Sequence, residues 1–337
     1  MIPGPYLLYL GEATDPLSVK TARGIAQWRP DLSLGQRRLR GCAIDLGLPD
    51  LGYAEAVAAG AKTMIIGDAN AGGVLRPSAH PEIVAALEAG LHVASGLHQR
   101  LKDVAIIRDN ADRMGRTLFD VRDAPAGLEV GTGVPRDGLR MLTVGTDCSV
   151  GKMYTSLALE RAMRARGIPA DFKATGQTGV LISGSGIAID AVVADFISGA
   201  VERITPARKI QGWDIIEGQG SLFHPSYAGV SLGLLHGAQA DALVLCHEAG
   251  RPHMRGLDGR LLPDLAECID ANVAAARLTN PAARAIGVSV NTSKLAPEDR
   301  RAFCDGVADQ LGLPCQDPVV DGVDQIVDSL VTCYEPA

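Results

Sequence analysis

An α/β fold with mainly parallel sheets, carried on two domains, follows from three observations. Short apolar runs ending at glycine alternate with segments of helical spacing along the chain, as in strand-helix-strand units. The 337 residues exceed what one core usually organises, since a domain averages roughly 150 residues. The 39 glycines, with 47% hydrophobic but only 4% aromatic residues, describe an Ala/Val/Leu/Gly-rich chain with many tight turns.

Taken in order, Tyr6 to Leu10 is an apolar run ending at Gly11-Glu12, and Lys20 to Trp28 has helical spacing before Pro30 stops it. Gly41 to Asp45 reads as a second strand, Tyr53 to Ala59 as a helix ended by Gly60, and Thr63 to Gly67 as the clearest strand of this half. Pro81 suits the first turn of a helix that Gly90 caps, and Leu91 to Ser95 returns to strand. This alternation makes residues 1–124 a small Rossmann-like domain. Asp68, Asn70 and His98 fall just past strand ends, where ligands sit in open α/β sheets but where turn formers also abound. Residues 125–138, rich in Gly and Pro, form the linker.

Residues 139–337 restart the alternation as the second domain. Strands are expected at 141–144, 170–173, 213–217, 242–246 and 285–290. Helices are expected at 153–166, 187–201, 232–236, 266–276, 297–311 and 323–331. Between the first strand and first helix lies Gly145-Thr-Asp-Cys-Ser-Val-Gly-Lys152. A glycine-bounded loop entering a helix N-terminus aims backbone N–H groups and the positive end of the helix dipole at one point, which suits a phosphate. The spacing between Gly145 and Gly151 is five residues rather than four, and Met153 stands where a Ser or Thr hydroxyl normally ligates magnesium. The loop therefore reads as a phosphate grip, Gly145 to Tyr154, lacking one hand for a metal.

Other polar clusters stand at the ends of expected parallel strands and should converge on the same sheet edge. They are Lys173 with Thr175 and Gln177; Glu217 with Ser221, His224 and Tyr227; and His247-Glu248 with Arg251. Asp147, Lys173, Glu217 and His224 are the candidate catalytic groups. Thr175, Gln177, Ser221, Tyr227 and Arg251 are candidates for holding substrate. Ser183 to Gly186 before Ile187 offers a second anion-ready helix start, with Asp190 one turn in. Cys148 is a weaker nucleophile candidate without a placed base, and packing within the loop is the preferred reading. His247 and His253, six apart, do not share a helical face, so no metal is expected.

A formal net charge of −7 gives no global basic surface for nucleic acid or anionic membrane. The 7 scattered cysteines lack a Cys-x-x-Cys pair, which fits a reducing compartment. With no leader-like start and no long apolar run, the expectation is a cytoplasmic protein.

Gly-Thr-Asp-x-x-Val-Gly-Lys152, Phe172-Lys-Ala-Thr-Gly-Gln-Thr-Gly179 and Glu217-Gly-Gln-Gly220 are similar to the three signature segments of the dethiobiotin synthetase branch of phosphate-loop enzymes. That branch implies an ATP- and magnesium-dependent ligase or kinase-like activity, from which Met153 departs. A resemblance spanning nearly the whole chain is to the DgcN-type family. It rests on Lys20-Thr-Ala-x-Gly24, Ser95-Gly-Leu-His98, Leu142 to Thr155, Ala174 to Gly179, Ala194 to Glu202, and Glu217 to Leu222 with His224 to Val230. Met153 belongs to that family's pattern.

The resemblance implies D-glutamate N-acetyltransferase activity with acetyl-CoA as donor and no required metal. Gly145, Thr146, Cys148, Ser149, Val150, Gly151, Lys152, Met153 and Tyr154 would then hold CoA phosphates, which are bound but not transferred. His224 or Glu217 would act as base, Lys173 or the loop N–H groups would stabilise the oxyanion, and Arg251 or Lys173 would pair with substrate carboxylates. The expected partners are these small molecules and a second copy of the chain, as a homodimer.

Overall fold

The computed structural model describes residues 2–16, 18–68 and 72–334. It forms two compact units, one of residues 1–124 with 177–191, the other of residues 125–176 with 192–337.

The first unit runs β1 (Tyr6–Gly11), α1 (Lys20–Trp28), β2 (Ser33–Arg38), α2 (Tyr53–Ala58), β3 (Thr63–Ile66), α3 (Ala79–Ala89), β4 (His92–Ser95), α4 (Ala105–Met114) and β5 (Leu118–Asp120). Its all-parallel sheet has the order β2-β1-β3-β4-β5. All six residues of β1 and all four of β3 are buried, as befits strands covered on both faces. Met64, Ile83, Leu87, Leu91 and Val93 anchor one core layer.

The strand expected at Gly41 to Asp45 is not formed; β2 lies earlier, in Ser-Leu-Gly-Gln-Arg-Arg. Its polar composition hid it because edge position and ion pairing satisfy its side chains. Gln36 is fully buried, accepting from Leu46 N–H and donating to Asp45 and Leu48. Arg37 pairs with Glu82, and Arg38 with Asp45 and Asp50. Asn70 lies outside the described residues.

Helix α6 (Gln177–Ser183) also packs in this unit, beside α1. It buries Val180, Leu181 and Ile182; Thr178 and Thr21 hydroxyls meet at 3.2 Å, and Arg29 donates to the Ile182 carbonyl at 3.0 Å. The continuous helix expected over Ile187 to Val201 is broken into short 3-10 turns at Ile189–Ala191 and Ala194–Phe196 before α7 (Ile197–Ile204) begins. No helix therefore starts at Ile187 to receive an anion, and Asp190 is paired with Arg122.

The second unit contains β6 (Leu139–Gly145), α5 (Lys152–Ala165), β7 (Ala170–Lys173), α7, β8 (Trp213–Ile216), α8 (Ala228–Ala238), β9 (Ala242–Glu248), α9 (Leu265–Arg277), β10 (Arg284–Asn291), α10 (Arg300–Leu311), β11 (Cys315–Gln316) and α11 (Asp324–Tyr334). The parallel order is β11-β10-β9-β6-β8-β7. The central strand β6, buried from Arg140 onward between β9 and β8, delivers Gly145 to the middle of the C-terminal edge. Glu202 ties the preceding segment down by accepting from the N–H groups of Thr132 and Gly133 and the Thr132 hydroxyl.

Candidate active site

Between β6 and α5 the chain makes the expected strand-loop-helix turn. Ser149 at φ 54° and Gly151 at φ 104° adopt the left-handed conformation, which turns successive N–H groups inward. The N–H groups of Val150, Gly151, Lys152 and Met153 have no hydrogen-bond partner among the described residues. Lys152 is buried, its ammonium donating to the Asp147 carbonyl at 2.8 Å. Burial lowers its pKa, against the opposing influence of Cys246, Cys148 and Asp147. A buried cation beside free N–H groups is an arrangement chemically suited to holding an anion. Met153 and Tyr154 are half-buried behind it.

A brace of charges holds the loop from outside. Asp147, fully buried, accepts from Cys148 N–H at 2.7 Å through one oxygen. Through the other it accepts from Arg251 at 2.6 Å and Arg255 N–H at 2.7 Å. Arg251 also donates to the carbonyls of Cys148 and Ser149 and pairs with Glu248, itself bound by Lys294 at 2.6 Å. The Arg255 guanidinium reaches the Ser149 hydroxyl, and Ser221 donates to the Thr146 carbonyl at 3.2 Å. Asp147, Ser221 and Arg251 thus all engage the loop itself.

Glu217, just past β8, has one carboxylate oxygen accepting from the N–H groups of Thr175 at 3.1 Å and Gly176 at 3.0 Å. The Thr175 hydroxyl donates back to the Glu217 carbonyl. Burial pushes the Glu217 carboxyl up to about 7, although the N–H groups of Gly176 and Thr175, the Gln219 amide and Lys152 pull the other way. At Gly176 a Cβ would stand 2.9 Å from the Glu217 carboxylate and 2.4 Å from the Gln219 amide nitrogen, so those side-chain ends would have to shift. At Gly218 a Cβ would meet the Thr143 carbonyl at 1.7 Å.

His224 is buried against the same loop. Its Nδ1 accepts from Ser226 N–H at 3.2 Å, which makes Nε2 the protonated nitrogen that donates to the Arg255 carbonyl at 3.1 Å. Asp147, Cys148 and His224 bring ligand-type atoms within 4.8 Å of one another. The carboxylate already faces a guanidinium and two N–H groups, and both imidazole nitrogens are engaged with backbone groups. Burial raises the Cys148 thiol despite Lys152, which disfavours a thiolate nucleophile.

The remaining expected residues engage other partners. Lys173 runs back along β7 to Asp214, 3.4 Å away, alongside Arg208. Tyr227 is exposed, its ring 4.6 Å from that of His224. Gln177 belongs to the first unit, against Gly96. Two residues given no catalytic or substrate-holding role from the sequence also stand at the loop. Arg255 comes from an irregular segment with no motif. His247, at the end of β9 and in the strand-end cluster with Glu248 and Arg251, is 3.1 Å from the Thr146 hydroxyl through Nδ1, and burial and Arg251 lower its pKa.

A phosphate-loop unit on a parallel sheet, accompanied by a Rossmann-like unit, is the class of protein that this fold and site define. The chain belongs to the DUF1611 family. Residues 129–327 match its P-loop domain and residues 37–124 its Rossmann-like N-terminal domain, both described as domains of unknown function. The chain is 50% identical over 329 residues to a D-glutamate N-acetyltransferase of a Pseudoalteromonas species, covering 98% of this chain and 99% of that protein. It is 49% identical over 330 residues to a D-glutamate N-acetyltransferase of Tritonibacter scottomollicae, with the same coverage of 98% and 99%. A crystal structure of a DUF1611 family protein from Anabaena variabilis matches with a TM-score of 0.86 at 31% identity, covering 98% of this chain and 100% of that one.

Proposed function

We propose that this chain transfers the acetyl group of acetyl-CoA to the amino group of D-glutamate. What supports the activity is near-full-length identity of about half to two proteins bearing that name. What supports the donor is the grip itself: free N–H groups at a helix start and a buried lysine, with Met153 in the position where phosphoryl-transfer enzymes keep a magnesium-binding hydroxyl.

In this reading Val150 to Met153 and Lys152 hold the CoA phosphates, and Asp147, Arg251 and Arg255 keep the loop in shape. We assign Glu217 to the phosphate grip rather than to proton abstraction. Its charge acts on Lys152 beside the loop, whereas the thioester lies a full pantetheine arm from the phosphates. With a carboxyl poised near 7, Glu217 in its protonated form donates to a phosphate oxygen instead of repelling it. His224 is likewise spent on backbone partners. The amine nitrogen attacks the acetyl carbonyl, the C–S bond breaks, and CoA leaves as thiol while the amine loses a proton.

The deciding assay follows thiol release from acetyl-CoA with D- or L-glutamate, without ATP and in EDTA, with mass spectrometry of the product. Release with D-glutamate and formation of N-acetyl-D-glutamate are expected. No release with D-glutamate would sink the reading, and release that depends on ATP and magnesium would favour the ligase chemistry of the dethiobiotin synthetase branch.

A further inference from the structure

A second source of positive charge stands over the phosphate loop. Between β9 and α9 the chain folds into a compact turn. Leu257 N–H donates to the Met254 carbonyl at 3.1 Å, Arg260 N–H to the Leu257 carbonyl at 3.1 Å, and Met254 N–H to the Arg260 carbonyl at 2.8 Å. The buried Met254 anchors the turn. Closing the chain between Met254 and Arg260 brings Arg255 and Arg260 to the same end of it. Both meet the stretch Phe223-His224: the Arg255 carbonyl accepts from His224 Nε2 at 3.1 Å, and Arg260 Nη2 donates to the Phe223 carbonyl at 3.3 Å.

These two guanidiniums lack counter-ions. Both residues are exposed, and among the described residues each guanidinium meets a neutral oxygen rather than a carboxylate. The acids of the same segment are engaged elsewhere, Asp258 with His253 at 3.2 Å and Asp264 with the N–H groups of Ala266 and Glu267. Arg251, earlier in the segment, is committed to Asp147 and Glu248. Arg255 braces Asp147 through its main-chain N–H, which leaves its side chain for the Ser149 hydroxyl, next to the unpaired N–H groups that begin at Val150. In a chain of net charge −7, two uncompensated arginines at this loop are placed to hold a further anion.

We propose, resting on the acetyl-CoA reading, that Arg255 and Arg260 hold the 3′-phosphate of CoA. The N–H groups and Lys152 serve the pyrophosphate. The remaining phosphate is carried on the adjoining ribose with a charge of roughly −1.5 to −2, so its donors must lie close to the loop yet be separate from it. Paired guanidinium N–H groups match phosphate oxygens. The carboxylates of glutamate fit less well here, because the amino acid meets the thioester at the far end of the pantetheine arm. The two arginines thereby select CoA over nucleotides that lack a 3′-phosphate.

Calorimetric titration of the full chain with CoA and with 3′-dephospho-CoA tests this, because the two ligands differ only in that phosphate. Wild type should bind CoA about tenfold tighter or more, and the difference should shrink as salt is raised. Arg260→Ala should weaken CoA by about threefold or more and leave 3′-dephospho-CoA unchanged. Arg255→Ala together with Arg260→Ala should bring the two affinities together. Arg260 bonds to Phe223 rather than to the loop, so its single variant decides the matter even if Arg255→Ala disturbs Ser149. Equal affinity of wild type for the two ligands, or equal weakening of both by Arg260→Ala, would overturn the proposal and leave the donor reading intact. Failure of wild type to bind either ligand would sink the donor reading and this proposal with it.

Discussion

Arg251 Nη1 lies 2.6 Å from the fully buried Asp147 Oδ2, and the same guanidinium holds the carbonyls of Cys148 and Ser149. One side chain from the segment after β9 therefore fixes the curvature of the loop between β6 and α5. Removing one partner of a buried pair strands the other charge at a cost of about 3–5 kcal/mol. Arg251→Ala should destabilise the protein on that scale in denaturant melts and weaken acetyl-CoA binding. Asp147→Asn combined with Arg251→Met should cost less than the sum of the single changes, and strict additivity would show that the pair does not act as a unit.

Lys152→Ala should weaken acetyl-CoA binding by at least tenfold, equivalent to about 1.4 kcal/mol. Its ammonium is buried at the loop and already bound to a carbonyl that an incoming phosphate can replace. Calorimetry with acetyl-CoA and with desulfo-CoA reads this directly, and an unchanged affinity would remove the loop from donor binding.

The Glu217 carboxyl, raised by burial to about 7, predicts a pH dependence of binding. Below that value it is protonated and donates to phosphate; above it, its negative charge opposes phosphate. Acetyl-CoA affinity should therefore fall as pH rises through about 7. Glu217→Gln should flatten that fall, which separates Glu217 from ionisation of the ligand itself.

The same group sets a stability trend. Its folded pKa lies above its ordinary value of 4.5, so the native state binds more protons than the unfolded state between 4.5 and about 7. Its contribution is fully present below that window and declines as pH rises through it. The melting temperature of Glu217→Gln relative to wild type should rise across the window and level off above it. A flat difference would mean that Glu217 is not perturbed.

Gly176→Ala forces a methyl group to within 2.4 Å of the Gln219 amide nitrogen and 2.9 Å of the Glu217 carboxylate. Overpacking of this kind costs roughly 1–3 kcal/mol. Melts should show that loss together with weaker acetyl-CoA binding, whereas a neutral Gly176→Ala would mean that the Glu217 carboxylate is free to move.

Much of this arrangement is readable in local pattern. Helix α1, β7 and the strand-loop-helix around Lys152 fall where apolar spacing, proline and glycine place them, because these signals are local to the backbone. β2 escaped because its identity as a strand lies in pairing with β1, and its side chains are satisfied by ion pairs rather than an apolar core. Lys173 sits at a strand end as its position suggests, yet its long side chain turns back to the buried Asp214, a choice that depends on which carboxylate lies within reach.

The chain's order of residues carries the alternation, the anion-gripping loop and the absence of a magnesium-binding hydroxyl at Met153, since each depends on neighbours along the backbone. Which charges brace that loop is a matter of folding. Arg251 and Arg255 lie about a hundred residues beyond Asp147, and no periodicity links them. Their partnership arises because β9 runs beside β6 and brings the following segment over the loop. Buried there, the Asp147 carboxylate has its hydrogen-bonding capacity met by those donors.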